Sequence, residues 1–233
     1  MPREGAGVVE AVVFDVGETL IDETRIWTRW ADRLGVPAGT MLGLLGAMAA
    51  AGRPLVEAFR LVRPGFDLDE EIAAWEREDP HGLRVHFDAD DLYPDVRPAF
   101  DALRAAGYRL IIAGNQPVQA ADALAAMRLP VESIHTSDGW GVAKPDPAFF
   151  AKVTAVAGVP PARILYVGDR VDNDVLPAKR AGMRTALLRR GPWGYLHAAR
   201  PEAAEADVVL DGLSGLVAAL GADAGTARAG GAG

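Results

Sequence analysis

Five charged residues stand where a chain can do chemistry: Asp15, Lys144, Asp169, Asp172 and Asp174. Asp15 ends the apolar run Val12-Val13-Phe14, and the turn Val16-Gly17-Glu18-Thr19 follows at once. A carboxylate so placed is lifted from a buried strand to the sheet edge, where ligands bind in open α/β folds. Ile164-Leu165-Tyr166-Val167-Gly168 repeats the device, ending in Asp169 with Asp172 and Asp174 in the loop beyond. Carboxylates clustered at a strand end repel one another unless a cation or ligand offsets them. An oxygen-only donor set suits Mg²⁺, which keeps several waters and accepts phosphate oxygens. Of the three acids, Asp172 best fits an ordinary solvated loop.

Lys144 opens Lys144-Pro145-Asp146-Pro147. Pro145 biases the lysine toward an extended backbone, and Pro147 suits the first turn of a helix, so Lys144 is displayed from a rigid turn. Ile111-Ile112-Ala113-Gly114-Asn115 is a strand ending in a small-residue turn before a helix. Backbone N–H groups at such a helix start can face an anion.

The elements that must position these groups are legible from periodicity. Val8–Phe14 reads as a buried strand. From Asp22 to about Glu78 the apolar residues recur at helical spacing: Trp27, Trp30 and Leu34, then Met41, Leu44, Leu45 and Met48, then Leu55, Ala58, Phe59 and Val62. Turn signals at Gly35-Val36-Pro37, Gly52-Arg53-Pro54 and Arg63-Pro64-Gly65 separate these runs, and Pro80–Asp91 reads as a return linker. Beyond Tyr93-Pro94 helices and strands alternate: helix Val96–Ala106, strand Arg109–Ala113, helix Val118–Met127, strand Val131–His135, helix Pro147–Ala157, strand Arg163–Val167, helix Asp174–Ala181, strand Thr185–Leu188, strand Val208–Leu210 and helix Leu213–Leu220. Such alternation implies βαβ units, hence an α/β fold with a doubly wound parallel sheet. The domains expected are a core of residues 1–20 and 92–220, an inserted helical cap over 21–91, and a Gly/Ala-rich tail over 221–233.

Composition limits the function classes. At 233 residues, half of them apolar, the chain can bury a large core. The net charge of −8 argues against a sequence-independent nucleic-acid surface. The chain has no cysteine, which removes disulfides, thiolate nucleophiles and cysteine-bound metals. No signal-peptide pattern or membrane-length apolar run is present, so a cytoplasmic protein with no membrane partner is expected. His81, His86, His135 and His197 show no metal-ligand spacing.

In their order along the chain, the segments around Asp15, Gly114-Asn115, Lys144-Pro145-Asp146-Pro147 and Gly168-Asp169…Asp174 resemble the haloacid dehalogenase superfamily, most of whose members are Mg²⁺-dependent phosphohydrolases. The resemblance runs from about Val8 to Leu210, and the helical insert matches the family's cap. It implies Asp15 as a nucleophile forming an aspartyl phosphate on a small phosphorylated molecule. It implies Lys144 as the cation that neutralises nucleophile and phosphoryl group, and Gly114, Asn115 and Lys144 as phosphate-binding residues. Mg²⁺ would be held by Asp15, the Gly17 backbone carbonyl and Asp169, with Asp174 a ligand through water or a partner of Lys144.

Two positions depart from the family pattern. Gly17 stands where phosphatases of this family have a second Asp, the general acid and then base. Such catalysis is worth about 10²–10⁴-fold. Glu18 and Asp22 are the nearby replacements, and Glu18 is the candidate acid. Gly114 stands where a Ser or Thr hydroxyl is usual, and Asn115 or the turn's N–H groups are the candidates to compensate. Two alternatives follow. A 2-haloacid dehalogenase needs no acid, because halide leaves unprotonated, yet the resemblance implies that such enzymes lack the acids at 169 and 174. The other is a binding or interaction module that kept the fold. Phosphonate cleavage through a cap lysine is excluded, since 22–91 contains none. Trp27, Trp30 and Trp75 fit a cap core better than a pocket, and Arg25 and Arg29 fit solvated helix charges.

Overall fold

The computed structural model describes residues 8–79 and 87–229. Its centre is β1, Ala11–Phe14, whose four residues are all buried. Around it lie β2 (Arg109–Gly114), β3 (Ser133–Thr136), β4 (Ile164–Gly168), β5 (Arg184–Leu188) and β6 (Val208–Leu210), in the order β3-β2-β1-β4-β5-β6. Every pairing is parallel. The strand order therefore reverses between β1 and β4, and the crevice at their carboxyl ends is where doubly wound sheets bind ligands.

Both sheet faces are covered, which is why β1 reads as a continuous apolar run. Val12 and Phe14 join one core with Phe100, Leu103, Leu124 and Leu216, contributed by α5 (Val96–Ala105), α6 (Ala120–Ala126) and α11 (Leu213–Ala229). Ala11 and Val13 join the other with Phe149, Phe150 and Val153 of α8 (Pro147–Ala157) and Ala178 of α9 (Leu176–Arg180).

The cap packs as a separate four-helix layer: α1 (Thr24–Leu34), α2 (Ala38–Ala51), α3 (Val56–Val62) and α4 (Leu68–Glu78). Gly35 and Gly52 end α1 and α2 in the left-handed conformation, at φ of 70° and 65°. Trp30 is the hub of the cap core, with ring centroids 5.1 Å from Phe59 and 4.9 Å from Trp75. Removing a buried aromatic of this kind costs about 3–5 kcal/mol. The two linkers run side by side, Asp22 N donating to Asp91 O at 2.8 Å and Tyr93 N to Leu20 O at 3.0 Å. Residues 80–86 of the expected return linker lie outside the described residues.

Several boundaries differ from expectation, and three of these differences have a visible cause. The first strand begins at Ala11, because Val8 is exposed and Glu10 turns outward to pair with Arg163. The helix expected from Asp174 starts with a wide turn over Val171–Val175, where Arg170 O accepts from both Asp174 N and Val175 N; α9 follows only at Leu176. The Gly/Ala-rich stretch expected as a tail is helical as far as Ala229, in keeping with alanine's high helix propensity. Residues 230–233 lie outside the described ones. No single helix among the described residues is long and apolar enough to cross a membrane.

Candidate active site

The crevice between β1 and β4 gathers the expected residues. Asp15 N donates to Val167 O at 2.9 Å, which carries the β1–β4 pairing one step past the strand and sets the Asp15 side chain beside the end of β4. The side chains of Asp15, Asp169 and Asp174, all buried, bring oxygens within 4.8 Å of one another. Lys144 Nζ stands 2.8 Å from Asp15 Oδ1 and 2.5 Å from Asp174 Oδ1, with its side chain wholly buried. It also sits 5.5 Å over the Tyr166 ring, whose hydroxyl donates to Ala113 O at 2.8 Å.

These contacts fix the charge states. Burial alone would lower the proton affinity of Lys144, but the facing carboxylates of Asp15 and Asp174 hold it well above the ordinary lysine value. Lys144 is therefore a fixed cation and not a proton donor. Burial, then repulsion from Asp174 and Asp15, pushes Asp169 well up. Asp174 is pushed up to about 6 by burial, against the pull of Lys144. One ammonium does not balance three buried carboxylates, and this excess of oxygen donors fits a divalent cation such as Mg²⁺. Asp174 commits both oxygens, Oδ1 to Lys144 and Oδ2 to Arg170 N at 2.9 Å. Its entry depends on Gly168, where a Cβ would overlap Asp174 Cγ.

The Asn115 side chain engages the backbone of Lys144. Its Nδ2 donates to Lys144 O at 2.9 Å, and its Oδ1 accepts from Lys144 N at 2.7 Å. The side chain thus holds the lysine's backbone. Gly114 lies under the nucleophile: a Cβ there would overlap Asp15 Oδ1 and lie 3.2 Å from Val16 Cγ2.

At the other departure, the space beside Gly17 is filled. A Cβ on residue 17 would lie 2.9 Å from Glu23 Cδ and closer still to Oε1. Burial, with Glu18 and Asp15 nearby, pushes the Glu23 carboxyl up to about 8. Sequence reasoning passed over Glu23, whose only signal was an acid at the threshold of the cap. Glu18, left-handed at φ 49°, accepts from Tyr93 Oη at 2.5 Å and rests on Gly191, where a Cβ would meet its Cδ at 2.5 Å. Gly191 opens α10 (Gly191–Ala198), so this segment walls the site. Asp22 is spent on the first turn of α1, accepting from Thr24 N at 2.9 Å. Asp172 stays outside the acid cluster, paired with Arg170 at 3.0 and 2.8 Å.

Beside Glu23 and Asn115, a cavity of about 220 Å³ opens between cap and core. Glu23, Ile26, Trp27 and Phe59 line it from the cap, Asn115 and Pro117 from the core, and among the described residues no Lys, Arg or His contributes. Trp27 thus faces the cavity, while Trp75 belongs to the cap core. Arg25 pairs with Asp88 and Asp91.

Residues 9–182 match the family model described as haloacid dehalogenase-like hydrolase. The chain is 36% identical over 206 residues to a glyceraldehyde 3-phosphate phosphatase of Methanopyrus kandleri, covering 80% of this chain and 86% of that protein. It is 32% identical over 219 residues to phosphoglycolate phosphatase 1 of Pseudomonas aeruginosa, covering 88% and 78%. Among solved structures, an L-2-haloacid dehalogenase shares the fold at a TM-score of 0.68 and 23% identity, over 92% of this chain and 99% of that one. A HAD phosphatase from Thermococcus onnurineus does so at a TM-score of 0.55 and 23% identity, over 91% and 98%. With three quarters of its length inside the family match and its acids at the β1–β4 crevice, the chain belongs to the haloacid dehalogenase-like hydrolases.

Proposed function

We propose that this hydrolase is a Mg²⁺-dependent phosphohydrolase, able in principle to pass the phosphoryl group to water or another acceptor, and that Asp15 is its nucleophile. The observation that carries the reading is the set of three buried carboxylates around Lys144. A carboxylate attacking a phosphate dianion needs cations to cancel repulsion and to take up equatorial oxygen charge. Asp15, Asp169 and the Gly17 carbonyl would hold Mg²⁺, which would supply Lewis-acid charge neutralisation. Lys144 adds a fixed positive charge, and Asp174 keeps that ammonium aimed at Asp15 Oδ1. The turn at Gly114 and Asn115 bounds the phosphoryl position, its N–H groups available to an equatorial oxygen.

The cavity supports a reading of the leaving-group class. Among the described residues its lining is largely apolar and without a cation, which suits an uncharged organic group better than one bearing a carboxylate. The substrate class is a small phosphate monoester in a cytoplasmic setting. Two relatives are named for glyceraldehyde 3-phosphate and phosphoglycolate. Of these two the cavity favours the uncharged aldehyde over the glycolate.

The test is phosphate release from a panel of phosphate monoesters with and without EDTA, using Asp15→Asn as control. Loss of turnover in both EDTA and the variant supports the reading. Phosphate release that survives Asp15→Asn, or halide release from 2-haloacids in EDTA, would overturn it.

A further inference from the structure

The carboxyl group at Gly17 is in place although residue 17 has no side chain. Glu23 comes from the head of the cap, and its Cδ lies 2.9 Å from where a residue-17 Cβ would be, with Oε1 nearer. Glu23 is the N-cap residue of α1, yet its side chain makes no capping hydrogen bond. The carboxyl instead accepts from the Trp27 side chain, one turn along α1. It also lines the cavity between cap and core together with Asn115, which follows Gly114 beneath Asp15. The other nearby acids are engaged elsewhere, Glu18 with Tyr93 and Asp22 with Thr24 N.

We infer that Glu23 is the general acid–base of this site, relocated from strand-end position 17 to the first residue of the cap, and that Gly17 is its necessary partner because any side chain there would displace it. This rests on the phosphohydrolase reading. As Asp15 Oδ forms its bond to phosphorus, the bond from phosphorus to the leaving oxygen breaks. That oxygen keeps the electron pair and takes the Glu23 proton. In the second half, the Glu23 carboxylate removes a proton from water as the water oxygen bonds to phosphorus. The Asp15 Oδ–phosphorus bond then breaks, releasing inorganic phosphate with Asp15 and protonated Glu23 restored.

The experiment compares kcat/KM for an alkyl and an aryl phosphate in Glu23→Gln, Gly17→Ala, the double variant and Asp15→Asn. A missing acid hurts alkyl esters most, since alkoxide is the poorer leaving group. The alkyl-to-aryl ratio is expected to fall about 100-fold in Glu23→Gln, at the low end of what general acid catalysis supplies. Gly17→Ala is expected to lower it similarly by displacing the carboxyl, and the double variant to fall no further. In Gly17→Asp/Glu23→Ala, with both the clash and the glutamate removed, the ratio is expected to recover at least tenfold over Glu23→Gln. An unchanged ratio in Glu23→Gln, with Asp15→Asn inactive, overturns the role of Glu23 and leaves the nucleophile standing. Activity in Asp15→Asn overturns the underlying reading instead. Additive losses in the double variant would break the link between Gly17 and Glu23.

Discussion

Asn115 and Lys144 exchange two hydrogen bonds across the crevice, Nδ2 to the lysine carbonyl at 2.9 Å and the lysine N–H to Oδ1 at 2.7 Å. The amide reproduces the pairing of a neighbouring strand and sets the backbone from which Lys144 reaches Asp15. The end of β2 thereby positions the site's cation.

Asn115→Ala removes both bonds and leaves two backbone groups to find new partners. Each such bond is worth about 1 kcal/mol to stability. A misplacement of order 1 Å at a catalytic group costs about 10²-fold. The variant is expected to keep its fold, melt a few degrees lower and lose ~10–100-fold in kcat with little change in KM. A KM effect with kcat intact would mean that Asn115 binds substrate instead of setting Lys144.

Gly114 invites an obvious repair, replacement by the Ser that the family pattern would place there. The structure predicts that it fails. A Cβ at 114 would overlap Asp15 Oδ1, so the nucleophile must rotate away from Lys144. Gly114→Ser is expected to lower kcat/KM by at least ~10-fold, against the gain that adding a phosphate hydrogen bond would bring. Steady-state kinetics on one good substrate decides between the two signs.

The contrast between these residues shows where sequence is informative. Asp15, Asp169 and Lys144 were legible because each sits at a strand end or rigid turn, where backbone topology alone sets the side chain's place. The parallel sheet was legible for the same reason, since β1 and β4 are short, apolar and bounded by turns. The hold of Asn115 on Lys144 was not legible, because its bonds span 29 positions that only the folded sheet brings together. Glu23 was invisible because its significance is a volume: the space above a glycine, filled by a side chain six residues on. The wide turn at Val171–Val175 was hidden too, as it arises from Asp174 folding its carboxylate back onto Arg170 N.

His197 gives the fold a sensitivity to acid. It is buried, and its Nδ1 accepts from Val171 N at 2.9 Å, a bond that requires the neutral ring nitrogen. Burial depresses its pKa to about 4 from an ordinary 6.5, against the pull of Asp172. Between those values the unfolded chain binds the proton and the folded one resists it. The stabilisation is therefore complete above about 6.5 and is lost as pH falls toward 4, by at most roughly 3 kcal/mol. Melting temperature should fall on acidification from pH 7 to 5. His197→Gln, which can still accept from Val171 N, should show a flatter profile over that interval. Identical profiles would remove His197 as the cause.

Asp169 separates stability from metal binding. Its carboxylate is buried and repelled by Asp174 and Asp15, so its charge opposes folding when no cation offsets it. Asp169→Asn removes that charge at nearly constant volume. In EDTA at pH 7 the variant is expected to melt above the parent, by about 2–4 °C for each kcal/mol of repulsion relieved. The order should invert with Mg²⁺. The parent gains about 2.7 kcal/mol at a Mg²⁺ concentration one hundred times its Kd, whereas the variant, short of one donor, gains much less. Crossing melting curves are thus the expected signature, read without any substrate. If Asp169→Asn melts lower in EDTA, the carboxylate is satisfied by protein groups alone; if Mg²⁺ stabilises both proteins equally, Asp169 is not among the groups that hold it.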